Sequence, residues 1–146
     1  MAPDSGLGLR AEDEADLAVI SACLQDALVV VRDLSYDRTA RQFSLIANRF
    51  RWEGGGPGFE RTLCAVAFGE IDGVAYRGFR RGEEERILSL LAIRRQQDGK
   101  APAIVLDFSG GAAIRLAAAA ISCRARDIGE PWPTAWRPSH PADEPA

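Results

Sequence analysis

Histidine and cysteine are scarce in this sequence, and their scarcity limits the chemistry that it can support. The single histidine, His140, lies among prolines near the end of the chain, where a general base would lack the fixed geometry that proton transfer needs. The three cysteines, Cys23, Cys64 and Cys123, are far apart, form no C-x-x-C pair and sit in apolar runs. We therefore predict no catalytic residue, no metal site and no cofactor, and three free thiols in a reducing cytoplasm.

Lysine is almost absent as well, since Lys100 is the only one and every other positive charge is an arginine. Together with the abundant alanine, whose codons are also GC-rich, this bias indicates a prokaryote with a GC-rich genome. The formal net charge is −3, which gives no overall attraction to nucleic acid or to anionic lipid. We therefore expect no membrane partner and disfavour a nucleic acid.

No apolar run is long enough to span a bilayer. The most hydrophobic window, residues 17–31, is interrupted by Ser21, Gln25 and Asp26 and falls short of the roughly 20 apolar residues of a spanning helix. The first ten residues include Asp4 and lack the apolar segment of a signal peptide. We expect a soluble, cytoplasmic protein of 146 residues, which is the size of one domain.

Two stretches predict helices. Residues 12–26 place Leu17, Ile20 and Leu24 on one side of a helix, and the acidic residues of its first turns suit the positive end of the helix dipole. An alanine-rich run from Ala118 predicts a short C-terminal helix that ends at Gly129.

Between these helices, alternation and short β-branched runs predict about six or seven antiparallel strands. They lie near residues 28–31, 41–52, 63–68, 74–76, 87–93, 103–108 and 114–116. The second strand changes its apolar face midway, from Phe43 and Leu45 to Phe50 and Trp52, which suggests a bulge or strong coiling. We predict an α+β fold, a roll or partly open barrel with the element order of pleckstrin-homology-like domains, an analogy that carries no function.

Prolines mark the end of the predicted domain. We assign residues 9–130 to a single α+β domain and residues 131–146 to a proline-rich C-terminal tail. Trp132 and Trp136 are expected to hold the start of this tail against the domain.

Two glycine-rich segments resemble functional loops only in composition. The segment Gly54–Gly58 lacks the lysine and hydroxyl residue of a phosphate-binding loop and joins two predicted strands, so we interpret it as a connection. Ser109, followed by two glycines, is typical of a hairpin turn and not of a nucleophile elbow.

Arginine and aromatic residues are interleaved around the second predicted strand, and they form the best candidate for a binding surface. The candidate residues are Arg49, Arg51, Trp52, Gly55, Arg61, Trp132 and Trp136. We place Arg49 and Arg51 on the solvent face opposite Phe50 and Trp52, where simple solvation would also explain them. Because arginine and aromatic residues are enriched at interfaces, we expect a non-enzymatic interaction or adaptor domain whose partner is another protein.

Two other functions stay open. An Arg-lined pocket would suit a carboxylate or phosphate, in a small-ligand binding protein or in an enzyme. Single-stranded RNA binding is the weaker alternative, and it would require an affinity that falls steeply with salt. The sequence indicates neither the oligomeric state nor the biological process.

Several strings occur in an order that points to a family. They are Asp16-Leu17-Ala18-Val19-Ile20, Leu24-Gln25-Asp26-Ala27, Asn48-Arg49-Phe50, Trp52-Glu53, Leu88-Ser89-Leu90-Leu91-Ala92-Ile93, Asp127-Ile128-Gly129, Pro131-Trp132 and Arg137-Pro138. Over roughly residues 9–140, this order resembles a family of small uncharacterised alphaproteobacterial proteins with only a domain-of-unknown-function label. The resemblance implies a bacterial cytoplasmic protein and supplies no activity, cofactor or site residue.

Overall fold

Strands make up more than half of the residues that the structure describes, because buried and exposed side chains alternate along much of the chain. The computed structural model describes residues 6–52, 58–97 and 101–134. Its strands are β1 (Gly8–Ala11), β2 (Leu28–Val30), β3 (Ser35–Asp37), β4 (Gln42–Phe50), β5 (Phe59–Phe68), β6 (Gly73–Arg77), β7 (Ile87–Gln96), β8 (Ala103–Phe108), β9 (Ala113–Ala117) and β10 (Cys123–Thr134). The α-helix in the described residues is α1 (Glu14–Cys23), and 3-10 turns cover Val31–Asp33 and Ser109–Gly111.

The predicted N-terminal helix is confirmed as α1, with an N-cap that explains where it begins. The side chain of Asp13 accepts a hydrogen bond of 2.8 Å from the backbone N–H of Asp16, which satisfies one of the free donors of the first turn. Leu17 and Ile20 are buried, and the helix packs against β7 and β1. The hydroxyl of Ser21 accepts a hydrogen bond of 2.8 Å from the backbone of β7 at Ile93.

The ten strands form one antiparallel sheet in the order β1-β10-β5-β4-β2-β7-β8-β9-β6, with β3 also paired to β4. Within the described residues the sheet is open, and β1 and β6 are its two edges. The three-residue strand β2 joins a half-sheet that contains β5 and β10 to a half-sheet that contains β8 and β9. The mostly antiparallel α+β character is thus confirmed.

One face of the sheet, called the inner face here, carries the hydrophobic core. Phe43, Leu45 and Ala47 point inward from β4, and Cys64, Val66 and Phe68 point inward from β5. The rings of Phe43 and Phe68 pack with their centroids 6.4 Å apart. The opposite side of β1, β10, β5 and β4 is called the outer face.

Three predictions about the architecture are wrong. Within the described residues the strands number ten and not six or seven, the sheet is open and does not form the predicted roll or partly open barrel, and β10 occupies the place of the C-terminal helix. In β10 the inward Cys123, Ala125 and Asp127 alternate with the exposed Arg124 and Arg126, and this period of two overrides the helical propensity of the preceding alanines. The element order therefore differs from that of a pleckstrin-homology-like fold.

The predicted bulge in the second strand and the predicted helix end at Gly129 are also corrected by the structure. Strand β4 pairs with β5 without a register shift, so the expected bulge in β4 is absent. The irregularity lies instead in β10, between Ile128 and Trp132, where Gly129 has a φ of 74°. Gly129 thus serves a β-bulge and not a helix end.

The predicted domain boundary at residue 130 falls inside β10. Trp132, Pro133 and Thr134 pair with β5, so the first residues of the predicted tail belong to the sheet. Residues 135–146, including Trp136 and His140, lie outside the described residues, as does most of the Gly54–Gly58 loop. The predicted turn at Ser109–Gly111 does join β8 and β9.

In the part of the chain that the structure covers, no helix combines the length and the apolar character that crossing a membrane requires.

We expect Gly78→Ala to destabilise the protein by about 2–4 kcal/mol. Gly78 has a φ of 81°, and an added Cβ would lie 2.8 Å from the Cα of Ala112 and 2.9 Å from the carbonyl oxygen of Gly111. Urea denaturation measures the change. Gly82→Ala is the matched control, since nothing lies within 4 Å of its Cβ position, and equal losses for both variants would contradict the steric explanation.

Candidate functional site

A buried ion pair lies at one end of the inner face. Arg49 is 0% exposed, because it continues the inward positions of β4 beyond Ala47. Its Nε donates to Oδ1 of Asp127 at 2.8 Å and its second terminal nitrogen donates to Oδ2 at 2.6 Å. The expectation that Arg49 faces solvent is therefore wrong, and its guanidinium has an internal partner on β10.

Asp127 also holds the chain that leads into β1. Its Oδ2 accepts the backbone N–H of Leu7 at 2.8 Å, and its own backbone N–H donates to the carbonyl of Leu7 at 2.9 Å. Burial alone would raise the pKa of the Asp127 carboxyl, but hydrogen bonds from Arg49 and Leu7 hold this pKa below its ordinary value. Asp127 is thus an ionised structural carboxylate.

The two buried cysteines on the inner face are weak candidates for chemistry. Burial, followed by the charge of Asp127, raises the pKa of the Cys64 thiol to about 12. Burial likewise raises the pKa of Cys123 to about 12. Both thiols stay protonated near neutral pH, so neither has the thiolate character of a nucleophile.

The other arginines of the predicted binding surface are also engaged internally. Arg51 pairs with Glu60, and its side chain is only 11% exposed. Arg61 is buried and donates to the side-chain and backbone oxygens of Asn48 at 2.6 and 2.8 Å. These contacts leave little of either guanidinium on the surface.

Aromatic residues surround Arg61 at this end of the outer face. The ring of Phe50 lies 4.7 Å from that of Trp52 and 5.7 Å from that of Phe59, measured between centroids. Trp52 also donates from its indole nitrogen to the backbone carbonyl of Gln25 at 3.4 Å. Trp132 lies opposite Arg61 in the sheet and remains partly exposed, so it is the predicted contact residue that stays most accessible among those described.

Further along the outer face, a groove of about 480 Å³ lies between the side chains of β10 and those of β4. Its floor is formed by Ala65 and Ala67 of β5, whose methyl groups leave space between the longer side chains on either side. The volume falls within the range of ligand sites in proteins. We call this feature the outer groove.

Strand register explains the arrangement of the outer groove. One row across the sheet reads Arg10, Arg124, Ala67 and Ser44, and the next row reads Gly8, Arg126, Ala65 and Ile46. Neighbouring strands lie about 4.8 Å apart and successive rows about 7 Å apart. Three arginines therefore share one wall, and Gly8 leaves the space beside Arg126 open.

The three arginines of this wall have no acidic partner among the described residues. Arg10, Arg124 and Arg126 are exposed and appear in none of the ion pairs or side-chain hydrogen bonds of the structure. Arg10 and Arg124 lie directly opposite each other, an arrangement of like charges that costs a few tenths of a kcal/mol. The wall thus concentrates positive charge that an anion would neutralise.

The opposite wall carries polar residues, one of them acidic, beside the apolar Ile46. Gln42 and Ser44 line it from β4, and Asp33 lines it from the turn that precedes β3. The outer groove therefore offers cationic donors on one side and a smaller set of neutral and acidic groups on the other.

A second groove, of about 310 Å³, lies on the other half-sheet, but two of its three arginines are already committed. Arg94 pairs with Asp107 at 2.6 Å. Arg115 donates to the side chain of Gln96 at 3.2 Å and to the carbonyl of Ala101 at 2.7 Å. The outer groove is therefore the better anion site.

Sequence reasoning missed the outer groove because it assigned Arg124 and Arg126 to a helix. The signal was present in the alternation Cys123-Arg124-Ala125-Arg126-Asp127, which has the period of a strand with one apolar and one charged face. Arg10 has no local signal, because only the pairing of β1 with β10 brings it to the site.

Within the described ranges, no group of three or more His, Cys, Asp or Glu side chains is placed to hold a metal ion.

Comparison with known protein families gives a match over most of the chain. The model of DUF2948, described as a protein of unknown function, matches residues 7–140. No curated protein and no solved structure matches. The match therefore brings no activity that could be tested against the outer groove.

We expect Arg49→Met to destabilise the protein by about 3–5 kcal/mol, because it leaves the Asp127 carboxylate buried without its partner. The double variant Arg49→Met/Asp127→Leu should lose less than this single variant, since no unpaired charge remains. Urea denaturation of both variants provides the comparison. Arg94→Met, which breaks an exposed pair, should cost under about 1 kcal/mol, and a similar loss at both arginines would contradict the importance of burial.

The same pair predicts an acid limb in the stability of the protein. Since the folded pKa of Asp127 is lowered, its contribution is complete above the ordinary Asp pKa near 4 and is lost as the pH falls through the folded pKa. Denaturation curves between pH 2 and 7 should show a shallower decline for Arg49→Met/Asp127→Leu than for the wild type. Parallel curves would contradict this assignment.

Proposed function

We propose that this chain, which belongs to DUF2948, a family of proteins of unknown function, is a binding domain. Its outer groove recognises an anionic group. A carboxylate or a phosphate is the chemistry that three adjacent guanidinium groups favour. The observation that carries the proposal is the wall formed by Arg10, Arg124 and Arg126, which has no acidic partner among the described residues.

The proposal depends on a difference in contacts between the three arginines of this wall and the arginines of the binding surface predicted from the sequence. Arg49 and Arg51 pair with carboxylates and Arg61 donates to the oxygens of Asn48, so all three guanidinium groups have acceptors within the fold. Arg10 and Arg124 oppose each other at a small cost in stability and face a floor of alanines. A charge arrangement that the fold does not need is a candidate for a function.

The proposal is compatible with the expected interaction domain and with the small-ligand alternative. A non-enzymatic interaction domain with a protein partner agrees with it if the anionic group belongs to a polypeptide. A small-ligand protein agrees with it if the anion is free in solution. Single-stranded RNA is a weaker candidate, because the net charge is −3 and the aromatic residues lie beside the arginines of the groove and not between them. A bacterial, cytoplasmic setting and an alphaproteobacterial origin stay predictions.

We expect citrate and pyrophosphate, as carboxylate and phosphate probes, to bind the wild-type protein, and at least one of them to bind Arg124→Gln/Arg126→Gln at least 10-fold more weakly. Each lost charge-assisted hydrogen bond accounts for about 1.5–3 kcal/mol. Isothermal titration calorimetry measures the affinity, and urea denaturation checks that the variant is folded.

Arg80→Gln is the matched control, since it makes the same substitution at an exposed turn on the other half-sheet. Its affinity for both probes should equal that of the wild type. Equal weakening by the control and the groove variant, or no binding by either probe, would contradict the proposed function.

A further inference from the structure

The outer face continues beyond the outer groove and changes its chemistry along β5. Every second residue of this strand lies on the outer face, which runs from Ala67 and Ala65 through Leu63 and Arg61 to Phe59. Leu63 is 38% exposed and Phe59 is 44% exposed, and Trp132 lies between their rows, so that large apolar side chains are grouped on this face. The exposed side chains of this face are therefore cationic at one end and apolar at the other, since Arg61 is buried.

The opposing residues of β10 follow the same gradient. Arg124 and Arg126 lie beside Ala67 and Ala65, whereas Ile128 lies beside Leu63. Beyond the bulge, Trp132, 37% exposed, lies beside Arg61. Charged and apolar groups are thus separated along the strand direction in rows about 7 Å apart.

The distance over which the outer face changes from charged to apolar matches the length of an extended peptide and exceeds that of a small metabolite. From Ala67 to Phe59 the strand covers eight residue steps, or roughly 27 Å. An extended peptide has the same rise per residue and also presents alternate side chains to one side. Its residues can therefore match successive rows of the outer face one by one.

We infer that the outer face binds an extended segment of another protein that carries acidic residues at alternate positions, followed at the same spacing by apolar residues. This inference rests on the proposed function and names the class of its ligand. The acidic side chains lie against Arg124 and Arg126, and the apolar side chains lie against Leu63 and Trp132. Charge complementarity with the arginine wall, which has no acidic partner in the described part of the chain, selects this occupant over a basic or purely apolar one.

The test uses three acetylated, amidated peptides of seven residues. The matched peptide is Asp-Ser-Asp-Ser-Leu-Ser-Phe, which places both acids and both apolar residues on one side. The shifted peptide, Asp-Ser-Asp-Leu-Ser-Phe-Ser, has the same composition with its apolar residues on the other side. The acid-only peptide is Asp-Ser-Asp-Ser-Ser-Ser-Ser. Fluorescence anisotropy of labelled peptides measures their affinities.

We expect the matched peptide to bind at least 10-fold more tightly than the other two. Leu63→Ser should reduce its affinity to that of the acid-only peptide and leave citrate or pyrophosphate binding unchanged. Leu91→Ser is the matched control, since Leu91 is 45% exposed on β7, away from the outer face, and it should change neither affinity.

Two outcomes separate this inference from the proposed function. If citrate or pyrophosphate binds and the matched peptide has no advantage over the shifted one, the peptide inference is wrong while anion binding stands. If no probe and no peptide binds, both are wrong. An oligouridylate that binds the same arginines more tightly than the matched peptide at physiological salt would also overturn the inference, in favour of single-stranded RNA.

Discussion

The buried pair of Arg49 and Asp127 fixes how β4, β10 and the segment before β1 fit together. It connects β4 to β10 across β5, and through Leu7 it fixes the segment that leads into β1. Two charges can occupy an apolar interior only when their geometry is good, and here both carboxylate oxygens accept hydrogen bonds from the guanidinium. Since β1 carries Arg10, this internal contact also positions one residue of the outer groove.

Strand β5 separates two different uses of arginine. On its inner side, Arg49 is part of the core, and its charge is neutralised within the fold. On its outer side, Arg124 and Arg126 stand beside alanines and have no acidic partner among the described residues. Arg49 thus stabilises the fold on one face while Arg124 and Arg126 create a candidate recognition surface on the other, and strand alternation places these three arginines on their respective faces.

The sequence was sufficient where a pattern is local. The spacing of Leu17 and Ile20 predicts α1, and the alternation from Ala103 to Phe108 predicts β8. It was insufficient where two local tendencies compete, because the alanines before Cys123 favour a helix while the residues after it alternate as a strand. Strand β10 forms because it fills the space between β1 and β5, and this space exists only in the complete sheet.

The candidate site was harder to predict than the fold. Arg49 was predicted to be part of a binding surface because it lies near aromatic residues in the sequence. Its actual partner, Asp127, is 78 residues away. Arg10 and Arg124 are still farther apart along the chain and become neighbours only through register. Local proximity to aromatic residues therefore identified arginines that the fold needs for itself and overlooked those that face the groove.

The residues at the end of β10 disfavour edge-to-edge pairing of this open sheet with a second copy of the protein. An exposed strand edge is a template for intermolecular pairing, which leads to aggregation. Beyond the part that pairs with β1, this strand contains Pro131 and Pro133, which have no N–H to donate, and the bulge at Gly129 interrupts the regular ladder. The irregular composition that resembles a tail in the sequence thus disfavours fibril-like growth along this edge, while the outer face next to it stays accessible.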